Sequence, residues 1–138
     1  MYSSKLNRSW LVAGLLPLVL SACGSKEGAG GDVARGRELY TKECAACHSL
    51  SASTTDAPLH CGLMGRKAGT VPGFPYSEAM RSSGLVWDEQ TIDEFITAPY
   101  IFLPGTIMGF PGFSQAADRA DVIAYLKEVS SDPGQCQK

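Results

Sequence analysis

Histidine is scarce in this chain: there are two, His48 and His60. No Ser/His/Asp set is visible, and no spare histidine remains for one beyond His60 once His48 has a role. Runs of basic residues are absent, which excludes nucleic acid as an expected partner. Long apolar runs are absent too. The best, "WLVAGLLPLVL" from Trp10 to Leu20, is short of the roughly 20 helical residues needed to cross ~30 Å of hydrocarbon. Pro17 within it would disturb a helix. No alternating apolar–polar strand pattern and no internal repeat appears, so a sheet architecture is not expected. What remains is an ordinary globular composition, 44% hydrophobic and 19% charged, in 138 residues. That suits one domain of modest size. Net charge is −2.

The first 22 residues read as a targeting segment. Lys5 and Arg8 supply a positive start, and Trp10–Leu20 supplies the apolar core of a secretory signal. "LSAC", Leu20 to Cys23, resembles the bacterial lipoprotein signal. The resemblance implies cleavage before Cys23 and a lipid on its thiol. An ordinary signal peptide with a chance cysteine and an uncleaved anchor are the other readings. Residues 23–31 favour the lipoprotein, because "GSKEGAGG" is Gly-rich and has no apolar side chain larger than Ala. Such a run is a flexible tether with a reach of roughly 15 Å. Several acyl chains on one cysteine would anchor it stably, where a single chain is marginal.

The folded domain is expected at 32–138, all-α. Asp32 is a good N-cap. Val33, Gly36, Tyr40, Cys44 and Cys47 follow at spacings of three and four, which argues for a helix. Gly36 inside it suggests a closely crossing partner helix. "SEAMRSSG" reads as a short helix capped by Ser77 and stopped by Gly84. "DEQTIDEFITAP" reads as one capped by Asp88 and ended by Pro99, with Ile92, Phe95 and Ile96 inward. "SQAADRADVIAYLKEVSSDPG" is the longest, with Val122, Tyr125, Leu126 and Val129 as its core stripe. "APYIFLPGTIMGFPGF", 98–113, is strongly apolar but rich in proline and glycine. It cannot be a regular helix and must cover something apolar.

The chemistry centres on "CAACH", Cys44 to His48. Two cysteines three apart can each join one vinyl group of a haem, with the adjacent histidine beneath the iron. A thiol–disulfide redox motif would need a strand–helix setting. Zinc would need a second Cys/His pair of matching spacing, which the adjacent His60 and Cys61 do not make. The second axial ligand must come from His60 or a methionine. Met1 leaves with the signal, and Met64 and Met80 sit in or beside short elements. Met108 lies in the apolar loop, where a flat porphyrin would account for the covering surface.

At this point the sequence resembles class I c-type cytochromes, the group of mitochondrial cytochrome c and its bacterial relatives. "GRELYTKECAACHSL", "GLMGRKAG", "PGFPYSEAM", "GLVWDEQTIDEFI", "PGTIMGF" and "RADVIAYLK" carry the likeness, in order. It implies the cytochrome c fold and one covalent haem c held by thioethers at Cys44 and Cys47. His48 and Met108 would be the axial iron ligands. Pro58 would offer its carbonyl to His48. Tyr76 and Trp87 would bind the haem propionates with Arg66 nearby, and Thr106 would support the Met108 loop. The first and last helices would cross at Gly36, Tyr40 and Tyr125. Relatives often have a tyrosine where Phe95 stands, so a hydrogen bond to the Met sulfur would be missing. Relatives usually have an apolar residue at the position of His60, which is expected near the haem edge or the surface and not as a ligand. The mitochondrial members carry lysines where this chain has Tyr100, Ile101 and Ile107.

The expected function is therefore electron transfer and not catalysis. One reading is a lipid-anchored monomeric carrier between membrane-bound or periplasmic redox proteins, on the extracytoplasmic side of a bacterial membrane. The alternative is a dedicated haem subunit of one oxidoreductase complex. A gas-sensing haem that releases Met108 is a weaker third. With Cys23 assigned to lipid and Cys44 and Cys47 to haem, Cys61 and Cys136 remain. In an oxidising compartment that pair suggests a disulfide. It would close a loop of about 75 residues and contribute about 4 kcal/mol in the chain-entropy model.

Overall fold

The computed structural model describes residues 30–132 and 134. The expected signal segment, Cys23, most of the tether and Cys136 lie outside the described residues. Within them the chain forms five helices: α1 (Val33–Glu43), α2 (Glu78–Ser82), α3 (Glu89–Thr97), α4 (Pro99–Phe102) and α5 (Ala116–Ser130). Among the described residues the one β feature is an isolated bridge between Lys67 and Val86. None of these helices is long and apolar enough to cross a membrane.

Local chemistry sets the helix starts. The Asp32 carboxylate accepts from the backbone N–H groups of Ala34 and Arg35. Ser77 Oγ accepts from Met80 N and Asp88 from Thr91 N. Each satisfies donors that a first turn leaves open. Gly84, with φ +70°, terminates α2. The helix α4 departs from the sequence expectation of an irregular loop across 98–113. It is a single turn that begins on Pro99, whose fixed φ and missing N–H suit the first helical position.

The termini of the domain meet. At Gly36 an added Cβ would lie 1.9 Å from the backbone oxygen of Asp121, so only glycine lets α1 and α5 cross this closely. Tyr40 packs its ring 5.3 Å from that of Tyr125 at the same crossing. Asp121 is buried there. It accepts from Asp32 N at 2.6 Å and pairs with Arg35 at 3.2 Å, so its charge is compensated. Gly31 also touches α5, since a Cβ would meet Ala120 O at 2.1 Å. The fold thus begins within the Gly-rich run. The core continues through Ile92, Phe95 and Ile96 of α3 and Val122, Leu126 and Val129 of α5.

Candidate functional site

One apolar cavity gathers the residues singled out in the sequence. Cys44, Cys47 and His48 line one side, and Thr106 and Met108 line it as well. Pro58, Arg66, Tyr76 and Trp87 complete the set, with Phe95 and Ile96 as part of the apolar floor. An apolar cavity walled by core residues and two thiols, with a histidine and a thioether on its surface, has the donor chemistry for an iron porphyrin.

Each wall is positioned by backbone bonds. The "CAACH" stretch leaves α1 in a tight turn in which the N–H groups of Cys47 and His48 both bond Cys44 O, at 3.1 and 2.9 Å. Cys44 and Cys47 carry free thiols. Burial pushes the Cys44 thiol up to about 12, with Glu43 and Cys47 adding to the rise, so it stays protonated. His48 Nδ1 lies 2.9 Å from Pro58 O. Burial lowers the His48 pKa while the Pro58 bond works against that. The imidazole is therefore neutral, with Nδ1–H donating to Pro58 and Nε2 left as the basic nitrogen.

The loop after α4 also lines the cavity. Phe113 N donates to Ile96 O at 2.8 Å, which pins the far end of the loop to α3. Gly112 is required at that contact, because a Cβ would come within 2.1 Å of Thr97 O. Arg119 of α5 bonds Asp93 at 2.8 Å and Phe113 O at 3.0 Å, locking the same corner. Thr106 is buried, and its hydroxyl accepts from Met108 N at 3.4 Å. Met108 is thereby held on a loop fixed at both ends.

The bridge between Lys67 and Val86 sets Arg66 and Trp87 side by side, with Trp87 N donating to Arg66 O at 2.9 Å. Arg66 spends its guanidinium on Cys61 O at 2.6 Å and Leu59 O at 2.8 Å. Phe95 packs against Trp87 and Phe102. It offers no hydroxyl to the cavity.

His60 has partners that the sequence left open. Its ring lies against His48, centroids 4.0 Å apart and planes 18° from parallel. Its Nδ1 is 3.1 Å from the Tyr40 hydroxyl. Sequence reading set it at the haem edge or surface and missed this pairing. The available signal was the joint presence of a phenol at 40 and an imidazole at 60 around one motif. Cys61 is not a free thiol. Its expected partner, Cys136, lies outside the described residues. Outside the cavity, Tyr100, Ile101 and Ile107 are 54%, 82% and 62% exposed.

The cytochrome c family profile matches residues 33–130. Cytochrome c of Tetrahymena pyriformis is 43% identical over 99 residues, 72% of this chain and 90% of that protein. Cytochrome c2 of Rhodoblastus acidophilus is 44% identical over 104 residues, 74% of this chain and 96% of that one. Among solved structures, cytochrome cH from Methylobacterium extorquens superposes with a TM-score of 0.67 at 37% identity, covering 71% of this chain and 99% of that one. The chain belongs to the cytochrome c family, all-α electron-transfer proteins that carry one covalently attached haem c.

Proposed function

We propose that this protein is a lipid-anchored, single-haem electron carrier that exchanges electrons with membrane-bound or periplasmic redox proteins on the extracytoplasmic side of a bacterial membrane. The observation that carries the haem assignment is the neutral His48, hydrogen-bonded to Pro58, lining the same apolar cavity as Met108. When bound, the haem supplies a one-electron ferric–ferrous couple.

The chain's own residues do the rest. Cys44 and Cys47 would hold the group covalently, so it cannot be lost outside the cytoplasm. His48 Nε2 and the Met108 sulfur would fill both axial positions, leaving none for a substrate. A thioether ligand and apolar burial both favour the ferrous state and raise the potential. Trp87, Tyr76 and Arg66 line the same cavity, and Trp87 and Tyr76 would receive the propionates with Arg66 nearby. An ultraviolet–visible spectrum of the ferric protein tests this. A weak band at the red end of the visible marks Met–iron ligation, and its absence would remove Met108 from the site.

The anchor rests on the sequence alone: Lys5, Arg8, the apolar Trp10–Leu20 and the "LSAC" before Cys23. Tethering would raise the concentration of the carrier near its partners. Recovery of the wild type in the membrane fraction and of Cys23→Ser in the soluble fraction is the expected result. A dedicated haem subunit is the second reading, and the exposed apolar set Tyr100, Ile101 and Ile107 favours it. Co-purification of a fixed partner in mild detergent separates the two.

A further inference from the structure

The cavity wall behind His48 contains a device that haem attachment and axial ligation do not require. His48 Nδ1 donates to Pro58 O. With Cβ and Cγ tethered to the backbone, a hydrogen bond at Nδ1 already biases the ring plane, and a face contact stiffens it against the torsional freedom that remains. His60 supplies one, stacked at 4.0 Å and 18°.

His60 is itself held from several sides. Its backbone N–H donates to Ser49 O at 3.0 Å, and that of Cys61 to Leu50 O at 2.9 Å, the segment directly after His48. The carbonyls on either side, Leu59 and Cys61, both accept from Arg66. Its Nδ1 meets the Tyr40 hydroxyl at 3.1 Å. Tyr40 is buried at the α1–α5 crossing against Tyr125, so it does not move independently of the fold. An aliphatic side chain would fill this space without a desolvation penalty. The imidazole carries that penalty and needs a partner for it. What it offers in exchange is a flat face.

We propose that His60 is a positioning residue for His48: braced by Tyr40, it fixes the plane of the proximal imidazole. The proposal rests on the haem reading above. The plane of an axial imidazole decides which iron d orbital its π system meets. It therefore decides which pyrrole pair carries the unpaired electron of the ferric state. His60 would thus direct spin density over the ring without touching the iron.

The test uses ferric holoprotein and the proton NMR shifts of the four haem methyl groups, which report that distribution. His60→Leu is expected to keep the red-end Met–iron band but change the order or spread of the methyl shifts. Tyr40→Phe is expected to shift them in the same direction by less, and His60→Phe, which restores a flat face, to return them towards wild type. Wild-type methyl shifts in both His60→Leu and Tyr40→Phe would overturn the proposal. So would His60→Phe displaced as far as His60→Leu. Should His60→Leu fail to fold, Tyr40→Phe alone decides. A wild type without the Met–iron band overturns the ligand assignment and this proposal together, whereas a normal wild type with unmoved variants overturns only this one.

Discussion

Gly36 of α1 and Asp121 of α5 are so close that the smallest side chain at 36 would come within 1.9 Å of the Asp121 carbonyl oxygen. Two effects of Gly36→Ala therefore oppose each other. Helix propensity favours alanine by about 1 kcal/mol. Forcing the helices apart costs about 1–3 kcal/mol or more, and the blocking atom is backbone, which cannot rotate away. The clash wins. A lower urea midpoint for Gly36→Ala at unchanged m-value is the expected outcome, and a raised midpoint would show that the crossing is looser than described.

Met108→Ala should leave the fold standing and open one axial position. The loop remains pinned by Phe113 N to Ile96 O and by Arg119. Loss of the red-end band, a lower reduction potential and carbon monoxide binding to the ferrous form at neutral pH are expected. Wild-type protein that binds carbon monoxide readily would instead favour a sensing role.

Partner docking should depend only weakly on salt. Tyr100, Ile101 and Ile107 expose apolar surface beside the Met108 loop, and screening acts on charges rather than on apolar burial. Stopped-flow electron transfer at rising ionic strength measures this. A steep fall from low to moderate salt would contradict it.

Alkaline pH should destabilise the protein partly through Tyr40. Burial is the main cause that raises its pKa. The native phenol then keeps its proton at pH values where the unfolded chain, with a pKa near the usual ~10, has lost it. The unfolded state binds fewer protons there, so stability falls as pH rises above that unfolded value. Urea midpoints measured across this window should decline less steeply in Tyr40→Phe than in wild type. Parallel declines would mean that Tyr40 ionises normally.

Cys61 and Cys136 should be joined. Titration of the unfolded, unreduced holoprotein should find no thiol, and two thiols would refute the bridge. If it forms, Cys136→Ser should lower stability by up to about 4 kcal/mol, the chain-entropy value for such a loop.

The helix starts were readable because they are local: Asp32, Ser77 and Asp88 each bond within three residues of themselves. Gly36 was readable as a crossing point because a bare residue on an apolar face has few other uses. The one-turn α4 was not, since the prolines around it argue against helix and only position distinguishes Pro99 as a start. His60 was the largest gap. Its neighbours in space, Tyr40 and His48, are apart in the chain, and a lone histidine beside a cysteine points first to metal. Gly31 was hidden for the opposite reason: a glycine pressed against Ala120 looks the same in sequence as one in a loose tether.

The bond from Asp32 N to the Asp121 carboxylate spans 89 residues. The first helix therefore finds its partner only when nearly the whole domain is present. Contacts this distant in sequence form late, because the closure entropy comes before the gain. Cys44, Cys47 and His48 leave the end of α1, so one wall of the cavity is seated by the other end of the chain. If the chain is exported N-terminus first, as proposed above, this sets an order of assembly. The cysteines would then emerge before α5, and the pocket would close over them once α5 has arrived.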